Sequence, residues 1–291
     1  MNKREPRYLE LPFAPSSVDK LTIVGDHAPA TSFQLEIPFA QDSNGNIERL
    51  ILGFDRDYEG TNVLLAGTVG CGKTSLLQTI ITSAAINYNN DELQIWIDTR
   101  QWFDYQNLLR GCKSLSIISS NEFADSHKSS VLNKLFEELE RRMSILRTQN
   151  EPNIMWYWSH AKEKNYEPLP RILFIADEPS GLHDKPNYGM ELERIARYGR
   201  AVGINCILAT QNLWPLSANV AKLFNIRMVM RCLDYQAFLC AVARPYSLGQ
   251  PIEVIEKAAI ASQMFSQGEF YLARNGGEYE YFKKLTAIKL G

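Results

Sequence analysis

A glycine-rich segment about a quarter of the way along the chain constrains its fold more than any other feature. Residues 67–74 have the spacing G-x-x-x-x-G-K-[ST] of a phosphate-binding loop, with Lys73 and Thr74 at the last two positions. An apolar run at 62–66 predicts a buried strand before the loop, and apolar spacing at 75–81 predicts a helix after it. Glycines let backbone N–H groups converge on phosphate oxygens, and the helix N-terminus adds partial positive charge.

The loop predicts a site for a nucleoside triphosphate with Mg²⁺. Lys73 would reach the β- and γ-phosphates, and the Thr74 hydroxyl would bind the metal. We interpret Cys71 as a small residue that fits the loop, the alternative being a thiol whose oxidation blocks the nucleotide. The predicted nucleotide-binding residues are Gly67, Thr68, Val69, Gly70, Cys71, Gly72, Lys73, Thr74 and Ser75.

A second apolar run, at 171–176, ends in two acids, Asp177 and Glu178. Asp177 would hold the Mg²⁺ shell from the side opposite Thr74, and Glu178 would polarise the attacking water. Gln211 ends the next predicted strand, where its amide would contact both the γ-phosphate and the water. The predicted catalytic residues are Glu178, Lys73 and Gln211, and the predicted metal ligands are Thr74 and Asp177.

Apolar runs of strand length alternate with helical patterns along the chain, which is typical of a parallel sheet covered on both faces. The sequence therefore predicts a three-layer α/β fold with a mostly parallel sheet. Strands are predicted at 62–66, 93–98, 115–118, 171–178, 203–211, 226–232 and 270–273, and helices at 75–81, 126–146, 190–201 and 234–243. In the helix at 126–146, Arg141 and Arg142 are predicted on the exposed face. Residues 279–285 are predicted to form an edge strand.

The residues before the loop predict a hairpin and an arm. Strand-like runs at 33–40 and 47–54 flank an Asn-Gly pair, which supplies the positive φ angles of a hairpin turn. Residues 1–32 carry four prolines and little periodicity, which predicts an extended arm or linker. We therefore predict an N-terminal arm at 1–32 and one P-loop domain at 33–291.

Composition narrows the classes of protein that remain. Lys and Arg number 31 against 33 Asp and Glu, so the total charge does not indicate nucleic-acid binding. A local basic stripe within this neutral total would still allow it. The five cysteines lack C-x-x-C spacing and fit a reducing cytoplasm. No apolar run approaches the ~18 residues of a membrane span, and no signal peptide is evident. We expect a cytoplasmic chain, with any recruitment to the inner face of the membrane left to a partner.

Several blocks of sequence resemble the FtsK/SpoIIIE branch of the FtsK–HerA ring ATPases, over about residues 33–285. The blocks are the loop at 65–74, Leu139-Glu140-Arg141-Arg142-Met143, the Leu-Pro plus acidic strand at 169–178, and 195–211, the longest. The resemblance implies a RecA-like P-loop fold, with ATP and Mg²⁺ bound at sites completed between the subunits of a hexameric ring. Asn212 and Pro179 depart from the family, which commonly has Arg or Lys and Phe or Leu at these positions.

Hydrolysis in ring motors usually needs a cation from the neighbouring subunit to stabilise charge on the phosphoryl group. The candidates for this trans arginine are Arg200, Arg227 and Arg231, together with Arg194 and Arg197, and with Arg141 and Arg142 as weaker candidates. The sequence does not choose between them.

The resemblance implies a motor that translocates double-stranded DNA, as in chromosome or plasmid transfer, gripping backbone phosphates. An alternative is a type VII secretion ATPase similar to EccC and EssC, whose track is a polypeptide. A third hypothesis is a nucleotide-gated assembly module. The neutral charge weakens the first hypothesis, and the intact acids weaken the third. A membrane-anchored, secretion or conjugation protein is the expected partner beside other copies of the chain.

Overall fold

The computed structural model describes residues 34–53, 61–111, 116–119, 131–179, 187–212, 217–242, 252–274 and 282–290. The predicted arm at 1–32 lies outside these residues. The strands are β1 (Gln34–Gln41), β2 (Ile47–Gly53), β3 (Val63–Ala66), β4 (Leu93–Thr99), β5 (Ser116–Ser119), β6 (Arg171–Asp177), β7 (Ile204–Thr210), β8 (Ile226–Val229), β9 (Glu269–Arg274) and β10 (Lys283–Ala287). The α-helices are α1 (Lys73–Asn87), α2 (Gln106–Gly111), α3 (Val131–Thr148), α4 (Ile154–His160), α5 (Tyr188–Tyr198), α6 (Ala218–Ala221), α7 (Tyr235–Val242) and α8 (Ile252–Gln263). Trp102–Tyr105 and Gly199–Val202 form 3₁₀ turns.

The described strands form one ten-stranded sheet in the order β2-β1-β10-β9-β8-β3-β7-β6-β4-β5. The strands from β8 to β5 are parallel neighbours. The remaining pairs, from β8 to β2, are antiparallel. The prediction of an α/β fold is confirmed, with a sheet that is mixed. The predicted hairpin of β1 and β2 is also confirmed, with Gly45 at φ 82° in its turn.

The prediction of an edge strand near the C-terminus is wrong. β10 pairs with β9 on one side and with β1 on the other, where Ala287 lies opposite Ala40. The N-terminal hairpin therefore extends the sheet beyond β10. The short alternating sequence of β10 does not distinguish an edge strand from an interior one, because the second neighbour of β10 comes from the far end of the chain.

Helices cover both faces of the sheet and give three layers. In β3, Val63 and Leu65 face α1 side chains such as Ile80, while Leu64 belongs to the opposite cluster with Leu139 of α3. Alternation within one strand thus supplies two apolar cores. Within the described residues, no helix is both long and apolar enough to span a membrane.

Arg142 on α3 does not lie on the exposed face that the sequence predicts. Its side chain is 1% exposed, its Nε lies 2.7 Å from Glu138 Oε1, and its Nη1 donates to the carbonyl of Val202 at 3.0 Å. Arg141 does lie at the surface, with 45% of its side chain exposed, and pairs with the same Glu138. Arg142 therefore joins α3 to the turn that precedes β7.

Candidate active site

The predicted site residues lie at the carboxyl edge of three neighbouring strands. β3, β7 and β6 are parallel, with Ala66 opposite Thr210 and Asp177 opposite Ala209. The phosphate loop after β3, the acids at the end of β6 and Gln211 after β7 are thereby brought to one edge. In open α/β sheets this edge is where ligands bind.

The phosphate loop has the backbone shape that its glycines permit. Gly70 and Gly72 have φ of 73° and 105°, a region that side chains rarely adopt. A Cβ on Gly67 would lie 2.8 Å from both Cys71 Sγ and Met230 Cβ. The loop packs closely on Met230 and Arg231, which follow β8, and α1 begins at Lys73 with its N–H groups facing the loop.

Two segments that the sequence did not connect with the site hold the loop in place. The N–H of Thr68 donates to the carbonyl of Arg231 at 2.9 Å, and the N–H of Gly268 donates to the carbonyl of Cys71 at 2.9 Å. Gly72 also packs close to Gly268, whose nitrogen would lie 3.1 Å from an added Cβ. No local pattern in the sequence signals these contacts, since both depend on strand order.

Cys71 faces into the protein beneath the loop. It is 1% exposed, and its Sγ lies 3.6 Å from the sulfur of Met230. Burial raises the pKa of the Cys71 thiol, so the neutral form is favoured. This placement agrees with the interpretation of Cys71 as a small residue that fits the loop.

Gly67→Ala should displace the loop and weaken nucleotide binding. Because the new Cβ meets Cys71 and Met230 at 2.8 Å, we expect a loss of about 1–3 kcal/mol of stability. We expect ATPγS to bind about tenfold more weakly, equivalent to ~1.4 kcal/mol. Calorimetric titration and thermal melting measure the two effects. The control is Gly189→Ala, where an added Cβ meets nothing within 4 Å; equal ATPγS affinity in the two variants would contradict the steric argument.

Asp177 lies between two hydroxyl groups. Its Oδ2 accepts a hydrogen bond from Thr74 Oγ1 at 3.0 Å and another from the Tyr105 hydroxyl at 2.7 Å. Its Oδ1 is buried and has no hydrogen-bond partner. Burial, helped by the charge of Glu178, raises the pKa of Asp177, against the opposing effect of the hydrogen bonds and Lys73.

The residues around Asp177 fit Mg²⁺. A buried carboxylate oxygen without a partner, beside a threonine hydroxyl, supplies the hard oxygen atoms that this cation prefers. Among the residues that the structure describes, no three His, Cys, Asp or Glu side chains form a cluster for a metal. This agrees with a metal held by one or two protein oxygens together with the phosphates of a nucleotide.

Glu178 has a strained backbone and a firmly held carboxylate. Its φ is 45°, a left-handed conformation that costs about 1–3 kcal/mol in a non-glycine residue. Its Oε1 accepts the backbone N–H of Gln211 at 2.8 Å, and its Oε2 accepts the Thr210 hydroxyl at 3.2 Å. Its own N–H donates to the carbonyl of Ala209 at 2.9 Å. Such strain concentrates at functional sites, and here it directs the carboxylate toward the loop.

Lys73 links the loop to the acids. Its ammonium group donates to the carbonyls of Gly67 at 2.9 Å and Thr68 at 3.2 Å and lies 3.3 Å from Glu178 Oε1. Gln211 is exposed, and its observed contact with Glu178 is made by the backbone rather than by the amide. Contact of the Gln211 side chain with a γ-phosphate stays a prediction.

The candidate trans arginines differ in accessibility. Arg227 is 3% exposed and donates to the carbonyl of Ala221 within its own chain, and burial lowers its pKa to about 10. Arg231 is half-buried behind the phosphate loop. Arg200 is exposed on the 3₁₀ turn after α5. A neighbouring subunit would therefore meet Arg200 more readily than Arg227.

A phosphate loop and an acid pair at the carboxyl edge of a three-layer α/β sheet define the P-loop class of nucleotide-binding proteins. A sequence model of the FtsK/SpoIIIE family matches residues 29–215, more than half of the chain. The chain belongs to the FtsK/SpoIIIE family of P-loop ATPases.

Individual relatives and solved structures agree with this family. The chain is 30% identical over 184 residues to the ESX secretion system protein EccC of Geobacillus thermodenitrificans, covering 62% of this chain and 12% of that protein. It is 29% identical over 197 residues to the type VII secretion system protein EssC of Staphylococcus aureus, covering 67% and 13%. The chain thus spans about an eighth of these relatives.

Two solved structures share the fold at lower sequence identity. The cytoplasmic domain of the Thermomonospora curvata type VII secretion ATPase EccC superposes with a TM-score of 0.67 at 19% identity, over 94% of this chain and 32% of that chain. The pCW3 conjugation coupling protein TcpA, solved with ATPγS, gives 0.63 at 16% identity, over 99% and 71%.

Proposed function

We propose that this chain hydrolyses ATP with Mg²⁺ at the site formed by Lys73, Thr74, Asp177, Glu178 and Gln211. The observation that carries the proposal is the contact of Thr74 with Asp177 directly beneath the phosphate loop. Thr74 and Asp177 would hold the metal, which when bound neutralises charge on the β- and γ-phosphates.

The protein's own groups account for the chemistry in two steps. When a nucleotide binds, the Lys73 ammonium group leaves the carbonyls of Gly67 and Thr68 and binds phosphate oxygens instead. Its contact with Glu178 is lost in the same step. Glu178, still held by Thr210 and the backbone of Gln211, then accepts a proton from the attacking water. An arginine of a neighbouring subunit, for which Arg200 is the accessible candidate, would stabilise the developing charge in a ring, a hexamer by resemblance.

We propose that the work done by hydrolysis is transport of a polypeptide in a type VII secretion system. EccC and EssC are the sequence relatives that support this assignment, at 30% and 29% identity. Translocation of double-stranded DNA, which the sequence motifs alone favour, is the second candidate, since the family model is that of FtsK and SpoIIIE. The near-balanced charge of 31 basic and 33 acidic residues supports the first candidate over the second.

Steady-state ATP hydrolysis with two kinds of added polymer tests the assignment. The chain is assayed alone, with long duplex DNA, and with signal sequence peptides of type VII secretion substrates, beside Glu178→Gln as the inactive control. We expect DNA to leave the rate unchanged and at least one peptide to change the rate or the oligomeric state. Several-fold stimulation by DNA would instead establish the DNA motor. Hydrolysis indifferent to both polymers would favour the assembly module.

A further inference from the structure

We propose that Tyr105 is a positioning residue for Mg²⁺, which fixes the Asp177 carboxylate so that one of its oxygens stays available to the metal shell. The inference rests on the proposed function, in which Thr74 and Asp177 hold the metal. Tyr105 belongs to none of the motifs in the sequence. It lies in the 3₁₀ turn Trp102–Tyr105, after a different strand from the one that carries Asp177.

The two carboxylate oxygens of Asp177 differ in their contacts, and the Tyr105 hydroxyl contributes to this difference. Oδ2 accepts both the Tyr105 and the Thr74 hydroxyls, while Oδ1 is buried without a partner. An aspartate carboxylate rotates easily about its last bond, because that torsion is broad and two-fold. With one hydroxyl removed, Thr74 alone does not determine which oxygen faces the metal. The 2.7 Å hydrogen bond from Tyr105 fixes the carboxylate in the orientation in which Oδ1 has no hydrogen-bond partner.

The position of Tyr105 is itself coupled to the phosphate loop. Its turn follows β4, whose Thr99 lies opposite Asp177 in the parallel ladder. The carbonyl of Asp104 accepts a hydrogen bond from Gln78 Nε2 of α1, the helix that begins with the loop lysine. Tyr105 is 1% exposed and Asp177 is 3% exposed, so their hydrogen bond is shielded from bulk solvent. The phenol is therefore held between the loop helix and the acidic strand.

The structure contains a matched control for removal of this hydroxyl. Tyr188 on α5 is 2% exposed and donates to Asp98 Oδ2 at 2.9 Å, and Asp98, like Asp177, lies near the carboxyl end of its strand. Asp98 belongs to β4, whereas the proposed metal ligands Thr74 and Asp177 belong to α1 and β6. Tyr188→Phe therefore removes the same kind of buried phenol–carboxylate bond without touching the proposed metal ligands.

The experiment is a titration of Mg²⁺ at fixed ATPγS, with binding of the nucleotide as the readout, in the wild type, Tyr105→Phe and Tyr188→Phe. In Tyr105→Phe we expect the half-saturating Mg²⁺ concentration to rise about tenfold, as for loss of other groups that orient a metal ligand. ATPγS binding in EDTA should be unchanged. Tyr188→Phe should keep the wild-type Mg²⁺ dependence.

The outcomes separate this inference from the proposed function. If Mg²⁺ does not strengthen ATPγS binding even in the wild type, the proposed metal site is wrong. If the wild type responds to Mg²⁺ and Tyr105→Phe responds identically, the positioning role is overturned while the proposed function stands. An equal rise in both phenylalanine variants would also overturn it, since general loosening of the fold would then explain the effect. Thermal melting in EDTA verifies that each variant is folded.

Discussion

Glu178→Gln should reduce ATP turnover by about 100-fold or more while ATP binding is retained, since loss of a general base typically costs 10²–10⁴ in rate. The amide has nearly the shape of the carboxylate but no longer accepts a proton. Single-turnover hydrolysis and ATPγS titration measure the two quantities separately. A loss confined to turnover would identify Glu178 as the group that activates water.

The contacts of Glu178 explain why binding should survive. Its Oε1 accepts the N–H of Gln211, and the amide oxygen of a glutamine also accepts that bond, without the added strength of the charge. The ion pair with Lys73 at 3.3 Å is lost, so Lys73 is freer to bind phosphate. We therefore expect ATPγS affinity in Glu178→Gln to equal or exceed that of the wild type.

A matched variant controls for loss of an ion-paired carboxylate as such. Glu36 on β1 lies 3.3 Å from Arg49 with 18% of its side chain exposed, close to the 3.3 Å and 28% of Glu178. Glu36→Gln should leave hydrolysis unchanged, because the hairpin is remote from the phosphate loop in the sheet order. Equal loss of turnover in both variants, or wild-type turnover in Glu178→Gln, would remove Glu178 from the mechanism.

The parts of the site that the sequence predicted are those in which spacing alone determines chemistry. The phosphate loop needs its glycines and Lys73 within one strand–loop–helix unit, so it can be recognised from the sequence alone. Asp177 and Gln211 follow apolar runs, and parallel strands bring their carboxyl ends together. Fold class was predictable for the same reason, since alternating strands and helices admit few arrangements.

The parts that the sequence did not predict depend on which strands become neighbours. Tyr105 reaches Asp177 because β4 lies beside β6, and Gly268 reaches the loop because β9 and β8 follow β3 in the sheet. The same applies to β10, whose pairing with β1 joins the two ends of the described chain. Neither composition nor periodicity carries this information.

Arg142 is a further case, since its charge predicted that it lies on the exposed face of α3. Adjacent residues on a helix lie about 100° apart, so Arg141 and Arg142 fall on different sides of the boundary between surface and core. The structure places Arg142 inward, where Glu138 and the carbonyl of Val202 satisfy its guanidinium. Charge alone predicted exposure, and the tertiary partners overrode it.

Arg142→Met should therefore destabilise the fold by about 3 kcal/mol, the lower end of the cost of removing one partner of a buried ion pair. The lower end applies because Glu138 keeps its bonds to Arg141, at 2.7 and 2.9 Å. The lost bond to the carbonyl of Val202 adds a buried acceptor without a partner. The free energy of unfolding in urea, compared at unchanged m, measures the effect.

Arg141→Met is the control, since it removes the neighbouring arginine from the same Glu138. Arg141 is 45% exposed, and an exposed ion pair contributes less than about 1 kcal/mol. The difference between the variants thus measures burial rather than charge. If both lose equal stability, the bond from Arg142 to the turn before β7 is not what holds α3 against the sheet. If Arg142→Met alone is destabilised, the turn before β7 depends on α3 for its position. Because this turn carries the exposed Arg200, a single buried guanidinium then links helix packing to the candidate trans arginine.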